Sequence, residues 1–210
     1  FVIDNQLAGK VQTGKAQHNL LLGVDYQYLD ARILYRDTLD YSAPAIDIFN
    51  PNHQQIVPAD LAFNYQDNRT IRQYQSGLYL QDQLSLENWE LLLSGRYDWA
   101  EVRTTDFTDS SRTQKNDSKF TWRTGLLYAF DFGLSPYISY STSFEPNLQT
   151  NRAPGVAPFD PSEGKQVEVG VKYQPTPTAL MTLAMYDLTQ GNYGSAVGTA
   201  SGTYFGGPIG

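Results

Sequence analysis

The 210-residue chain has no cysteine, which excludes disulfides and thiolate metal sites. Its two histidines, His18 and His53, stand far apart without ligand spacing, so no protein-held metal is expected. Positive charge is in deficit: 15 Lys and Arg against 22 Asp and Glu leave a net charge of −7. That balance removes electrostatic support for nucleic-acid binding and for polybasic attachment to a membrane. Long hydrophobic runs are also missing. The longest clusters are short, such as Leu20–Leu22 and Leu91–Leu93, whereas a transmembrane helix needs about 18 apolar residues. The first residues, FVIDNQLAGKVQTG, lack the pattern of a signal peptide, and Phe1 opens directly in what reads as a strand. The N-terminus is therefore expected to be a cut. No nucleophile elbow, phosphate loop or Ser-His-Asp arrangement occurs. Asp106 with Asp109, and Asp160 with Glu163, could be cast as paired carboxylates, but each pair lies in a polar stretch that reads as solvated charge. No catalytic residue is assigned and no enzyme is expected.

What the chain does have is aromatic residues on a polar background: 15 Tyr, 10 Phe and 3 Trp. Ser76 to Trp99 reads as two strands joined at a short turn. On its second strand Trp89, Leu91, Leu93, Tyr97 and Trp99 alternate with Glu90, Ser94, Arg96 and Asp98, and the apolar face begins and ends in tryptophans 10 residues apart. That spacing matches the height of a bilayer crossed by a tilted strand. The same period of two runs from Asn19 to about Arg36, from Phe120 to Phe130, from Pro136 to Glu145, from Lys165 to Tyr173 and from Ala179 to about Gln190. Short turns are expected near residues 14–18, 87–89, 131–135 and 175–178, and longer loops at 37–69, 104–117 and 147–163. His18 falls in the first of those turns. In an up-and-down meander this places all the long loops at one end, as in outer-membrane barrels. The APAIDIFNP stretch in the first loop is expected to be ordered. The Gly- and Ser-rich residues 191–210 read as a tail or truncated loop. The expected fold is all-β: an antiparallel, up-and-down transmembrane β-barrel wall of about eight strands over residues 1–190.

Several stretches resemble one family. GLYLQDQ (Gly77 to Gln83), GRYDWAE (Gly95 to Glu101), KFTWRTGLLYAFDFGLSPYISYSTSFEPN (Lys119 to Asn147) and PSEGKQVEVGVKYQP (Pro161 to Pro175) are similar to the barrel of TonB-dependent siderophore receptors. LLGVDYQ and SAPAIDIFNP point to the hydroxamate, ferrichrome-type branch. The resemblance implies an outer-membrane receptor of a Gram-negative bacterium that imports ferric siderophores through a larger barrel of about 22 strands. It also implies a plug and a TonB-contacting segment, expected to lie outside these 210 residues, with TonB, ExbB and ExbD as partners beside the siderophore and outer-membrane lipid. No cofactor is implied, because iron enters as chelated cargo.

On this reading Tyr35, Tyr41, Phe63 and Tyr65 are candidate ligand contacts, since they sit where the second strand meets the long loop. The competing reading makes them girdle or loop-packing aromatics. Arg36 and Asp37 interrupt a stretch that is commonly aromatic in ferrichrome-type receptors. Asp25, Arg96, Asp98, Arg123 and Glu168 are expected to face the lumen, as pathway residues or as mutually paired wall residues. Two alternatives stay open: a small closed eight-stranded barrel of structural or binding role, and a soluble β-sandwich that binds or cleaves carbohydrate.

Overall fold

A computed structural model describes residues 1–37, 47–51, 65–148, 159–199 and 202–209. Ten strands occur in them: β1 (Val2–Thr13), β2 (Ala16–Asp37), β3 (Tyr65–Leu86), β4 (Trp89–Asp106), β5 (Arg112–Tyr128), β6 (Leu134–Glu145), β7 (Ser162–Thr176), β8 (Ala179–Gly191), β9 (Tyr193–Thr199) and β10 (Gly202–Ile209). The first eight form one antiparallel sheet in sequence order, and β9 pairs only with β10.

Period-two alternation becomes two chemically distinct faces. Across β2 to β5 one face is built from cross-strand rows: Leu22, Leu80, Gly95 and Trp122; then Val24, Leu78, Tyr97 and Phe120; then Tyr26, Ser76, Trp99 and Ser118. Leu86, Trp89 and Tyr128 make the row at the opposite end. These apolar side chains lie open rather than buried; Leu80, for example, is 54% exposed. In a soluble protein such a face would need a second layer. Here it has the form of a lipid-facing wall bounded by aromatic rows.

The single layer removes the sandwich reading, which requires two packed sheets. It also removes the small closed barrel. Among the described residues β1 pairs with β2 alone and β8 with β7 alone, so the sheet they form is open at both edges.

Some boundaries depart from expectation. Residues 104–117 are mostly strand: β4 continues to Asp106, β5 starts at Arg112, and Thr105 pairs with Arg112. A polar sequence is compatible with a backbone ladder extended beyond the membrane. The connection at 107–111 is consequently short, and the end carrying the long loops is less uniform than the sequence suggests. β2 begins at Ala16, which moves His18 from a turn into a strand, and β3 begins at Tyr65. Of Ala43 to Pro51, residues 43–46 lie outside the described residues; the rest makes an Asx turn, with Asp47 Oδ1 accepting from the Phe49 amide at 2.8 Å, and Phe49 is 91% exposed. Residues 191–210 contribute the β9–β10 hairpin.

Gly133 has φ +88°, and a Cβ there would stand 2.2 Å from the Gln174 carbonyl oxygen, so only glycine fits this turn. Between β5 and β6 regular pairing covers only Arg123 to Leu127. Above it the Thr142 hydroxyl accepts from the Trp122 amide at 2.9 Å and donates to the Trp122 carbonyl at 3.3 Å.

Candidate functional site

The face opposite the apolar rows carries polar side chains joined across four strands. The register sets Asp25, Gly77 and Asp98 in one row and Gly23, Tyr79 and Arg96 in the next. Gly77 leaves the room that the Arg96 guanidinium occupies, since a Cβ there would lie 2.1 Å from Nη2. Arg96 then forks in two directions. Nη1 and Nη2 donate to Asp25 Oδ2 and Oδ1 at 2.5 and 3.0 Å, while Nε and Nη2 donate to Asp98 Oδ2 and Oδ1 at 2.8 and 2.6 Å. Two bidentate carboxylates use the planar geometry that distinguishes arginine from lysine.

The network extends beyond the residues visible in sequence. Gln75 donates to Asp98 Oδ1 at 3.0 Å, and the Tyr79 hydroxyl donates to Asp4 Oδ1 at 2.8 Å. The Tyr79 ring covers Gly23 and lies 5.7 Å from the Arg96 carbon Cζ. Asp4, Gln75 and Tyr79 all share the period-two face of Arg96. Pairing register, which one strand's pattern does not reveal, is what brings them together.

A second cluster repeats the motif. Tyr137 covers Gly170 and donates to Glu168 Oε1 at 2.6 Å, while Gln166 donates to Glu168 Oε2 at 3.1 Å. Arg123 sits between the clusters, opposite Ser94 and Ser141, and lines a depression of about 390 Å³ with Gln81, Gln83 and Glu90. Asp25, Arg96 and Asp98 thus make one contact group; Arg123 and Glu168 lie on the same face but apart from it.

At the long-loop end Tyr35 is on this face, opposite Asp67, and is 50% exposed. Tyr65 pairs with Asp37 one row further up. Tyr41 and Phe63 lie outside the described residues. Lys115 donates to the Phe159 carbonyl and to Asp160 Oδ1 at 2.6 and 2.8 Å, and Lys119 donates to Glu163 Oε1 at 2.7 Å. These contacts tie β5 to the start of β7 where the β5–β6 ladder has stopped. They also place Asp160 and Glu163 in separate lysine ion pairs. Among the described residues no group of three metal-ligating side chains occurs.

The chain matches the family model described as TonB dependent receptor-like, beta-barrel, over residues 1–207. It belongs to the TonB-dependent receptor β-barrel family. Among its relatives, the Escherichia coli K12 ferrichrome outer membrane transporter/phage receptor is 38% identical over 200 residues, covering 91% of this chain and 26% of its own length. The Salmonella typhimurium LT2 ferrioxamine B receptor is likewise 38% identical over 194 residues, with the same coverage. The chain therefore spans about a quarter of the length of these receptors. The closed form of the ferric-catecholate import receptor Fiu from E. coli K12 has a similar fold, with a TM-score of 0.73 at 21% identity over 97% of this chain and 33% of that one. Membership places this TonB-dependent receptor wall in the outer membrane of a Gram-negative cell, with its apolar rows against lipid.

Proposed function

We propose that this chain is a wall segment of a receptor that imports ferric siderophores of the hydroxamate class. The supporting observation is the 38% identity to both a ferrichrome and a ferrioxamine B receptor across 91% of the chain. Ligand is held at the long-loop end, with Tyr35, Tyr41, Phe63 and Tyr65 as the proposed contacts. Rigid aromatic rings with few polar groups suit a bulky, partly apolar chelate. Asp25, Arg96, Asp98, Arg123 and Glu168 line the lumen below, and the Asp25–Arg96–Asp98 network stiffens the wall against which a plug moves. TonB, with ExbB and ExbD, acts through a region N-terminal to this wall. Iron is cargo inside its chelator; the wall holds no cofactor and catalyses no reaction.

The test is binding and growth rescue by the receptor containing this wall, in an iron-starved host lacking other siderophore uptake. Ferrichrome and ferrioxamine B are supplied separately, with a ferric catecholate as comparison. Rescue by a hydroxamate alone is expected, and Tyr35→Ala should weaken binding by about tenfold, the order of one lost aromatic contact. Rescue by the catecholate alone would overturn the class assignment.

A further inference from the structure

Strand β5 is held very differently along its two edges. Toward β4 the ladder runs from Arg112 to Tyr128, the whole length of the strand. Toward β6 it covers only Arg123 to Leu127, although β6 itself pairs with β7 from Leu134 to Glu145. Each strand is therefore firmly tied on its far side, and the two part from each other above Trp122. Trp122 is opposite Gly95, between the tryptophans that bound the apolar band on β4, so the seam starts inside that band and runs upward. Among the described residues no ladder partner faces this edge of β5 from Arg112 to Thr121.

Antiparallel alternation turns the backbone groups of residues 122, 120 and 118 toward the same side. Thr142 holds those of Trp122, whereas those of Phe120 have no ladder partner across the seam. Phe120 is opposite Tyr97, still below the Trp99 row. At membrane depth, backbone outside a ladder is tolerated only where protein covers it or water reaches it. The lumen side of the seam can admit water, because Thr121 and Ser143 lie there and Ser143 is exposed. Two lysines of β5 span the seam on that side, Lys115 to the Phe159 carbonyl and Asp160, and Lys119 to Glu163. The Lys119–Glu163 pair is itself solvated, at 40% and 38% exposure.

We propose that β1–β5 and β6–β8 are two plates hinged at the Arg123–Leu127 ladder, and that the seam above Trp122 is a water-filled slot whose width changes. Opening enlarges the lumen at the level of Arg96, which is opposite Thr121, without breaking a ladder. Lys115 and Lys119 limit the opening, since their flexible four-carbon stems keep an ion pair over a range of separations. The inference rests on the ladders of the wall and not on which siderophore is carried.

The test uses the receptor containing this wall in lipid nanodiscs. The 210 residues contribute no cysteine, so spin labels can be placed at will. One pair, Thr121→Cys with Ser143→Cys, spans the seam; the reference pair, Gln81→Cys with Ser94→Cys, spans the intact β3–β4 ladder. The reference should give one narrow distance, and the seam two populations that differ by about 5 Å, one strand spacing. Lys119→Gln should raise the wider population about threefold, the scale of a half-exposed ion pair. In the unlabelled receptor the Ser118 and Phe120 amides should exchange with deuterium at least about a hundredfold faster than those of Lys119 and Thr121, which point to β4. A single narrow distance across the seam would overturn the hinge, even with fast exchange. Equal protection of the four amides would overturn the water-filled slot, and because it is read on the parent it decides the matter if a labelled variant does not fold.

Discussion

The two faces of the wall carry charge in opposite ways. On the polar face Arg96 sits over a glycine and is shared by Asp25 and Asp98, with Gln75 and Tyr79 extending the network. On the apolar face one pair stands among leucines: His18 Nδ1 donates to Asp82 Oδ2 at 2.7 Å, beside the row formed by Leu20, Asp82 and Leu93. Their side chains are 21% and 24% exposed, and Asp82 Oδ1 is buried without a hydrogen-bond partner. A network can lose one member and redistribute its bonds. An isolated pair facing hydrocarbon cannot, because neither water nor a neighbour replaces the missing partner.

The largest effect should therefore follow from His18→Leu, which leaves the Asp82 carboxylate unpaired against lipid. A loss of about 3 kcal/mol is expected, at the lower end for breaking a buried ion pair. The urea midpoint of folding in lipid vesicles reports it, and adding Asp82→Leu should restore most of the loss. If the double variant is as weak as the single, the pair does more than neutralise itself. Asp98→Asn should cost less, about 1 to 2 kcal/mol, because Asp25 keeps its bidentate hold on Arg96 and the new amide still accepts one bond. A loss as large as that for His18→Leu would show that the polar network is not redundant. Smallest of all is Lys15→Gln: the Lys15–Glu87 pair is exposed at 81% and 67%, and no shift in midpoint is expected.

The strands and their two faces were legible in sequence because side-chain period and lipid contact reinforce each other between Trp89 and Trp99. Legibility failed where solvent changed. From Thr104 to Asp117 the apolar alternation stops, although the backbone ladder continues through Thr105 and Arg112, so polarity was mistaken for a loop. His18 was obscured by the glycine turn beside it, since a strand beginning at Ala16 has too few residues before His18 to establish a period. In the polar cluster Arg96 and Asp98 are two residues apart and share a face on inspection. Asp25 is 71 residues from Arg96, and its contact follows only from registers set by the two intervening hairpins.

The Thr142 contact has a consequence for the mechanics of the wall. Along most of the sheet, shear between neighbouring strands would have to break a row of backbone bonds together. Beside Trp122, both backbone groups are instead held by one hydroxyl on a rotatable side chain. A single χ1 rotation can release them or take them up again. The cohesion of β5 and β6 at this level therefore depends on one side-chain torsion, where elsewhere it is carried by the backbone itself.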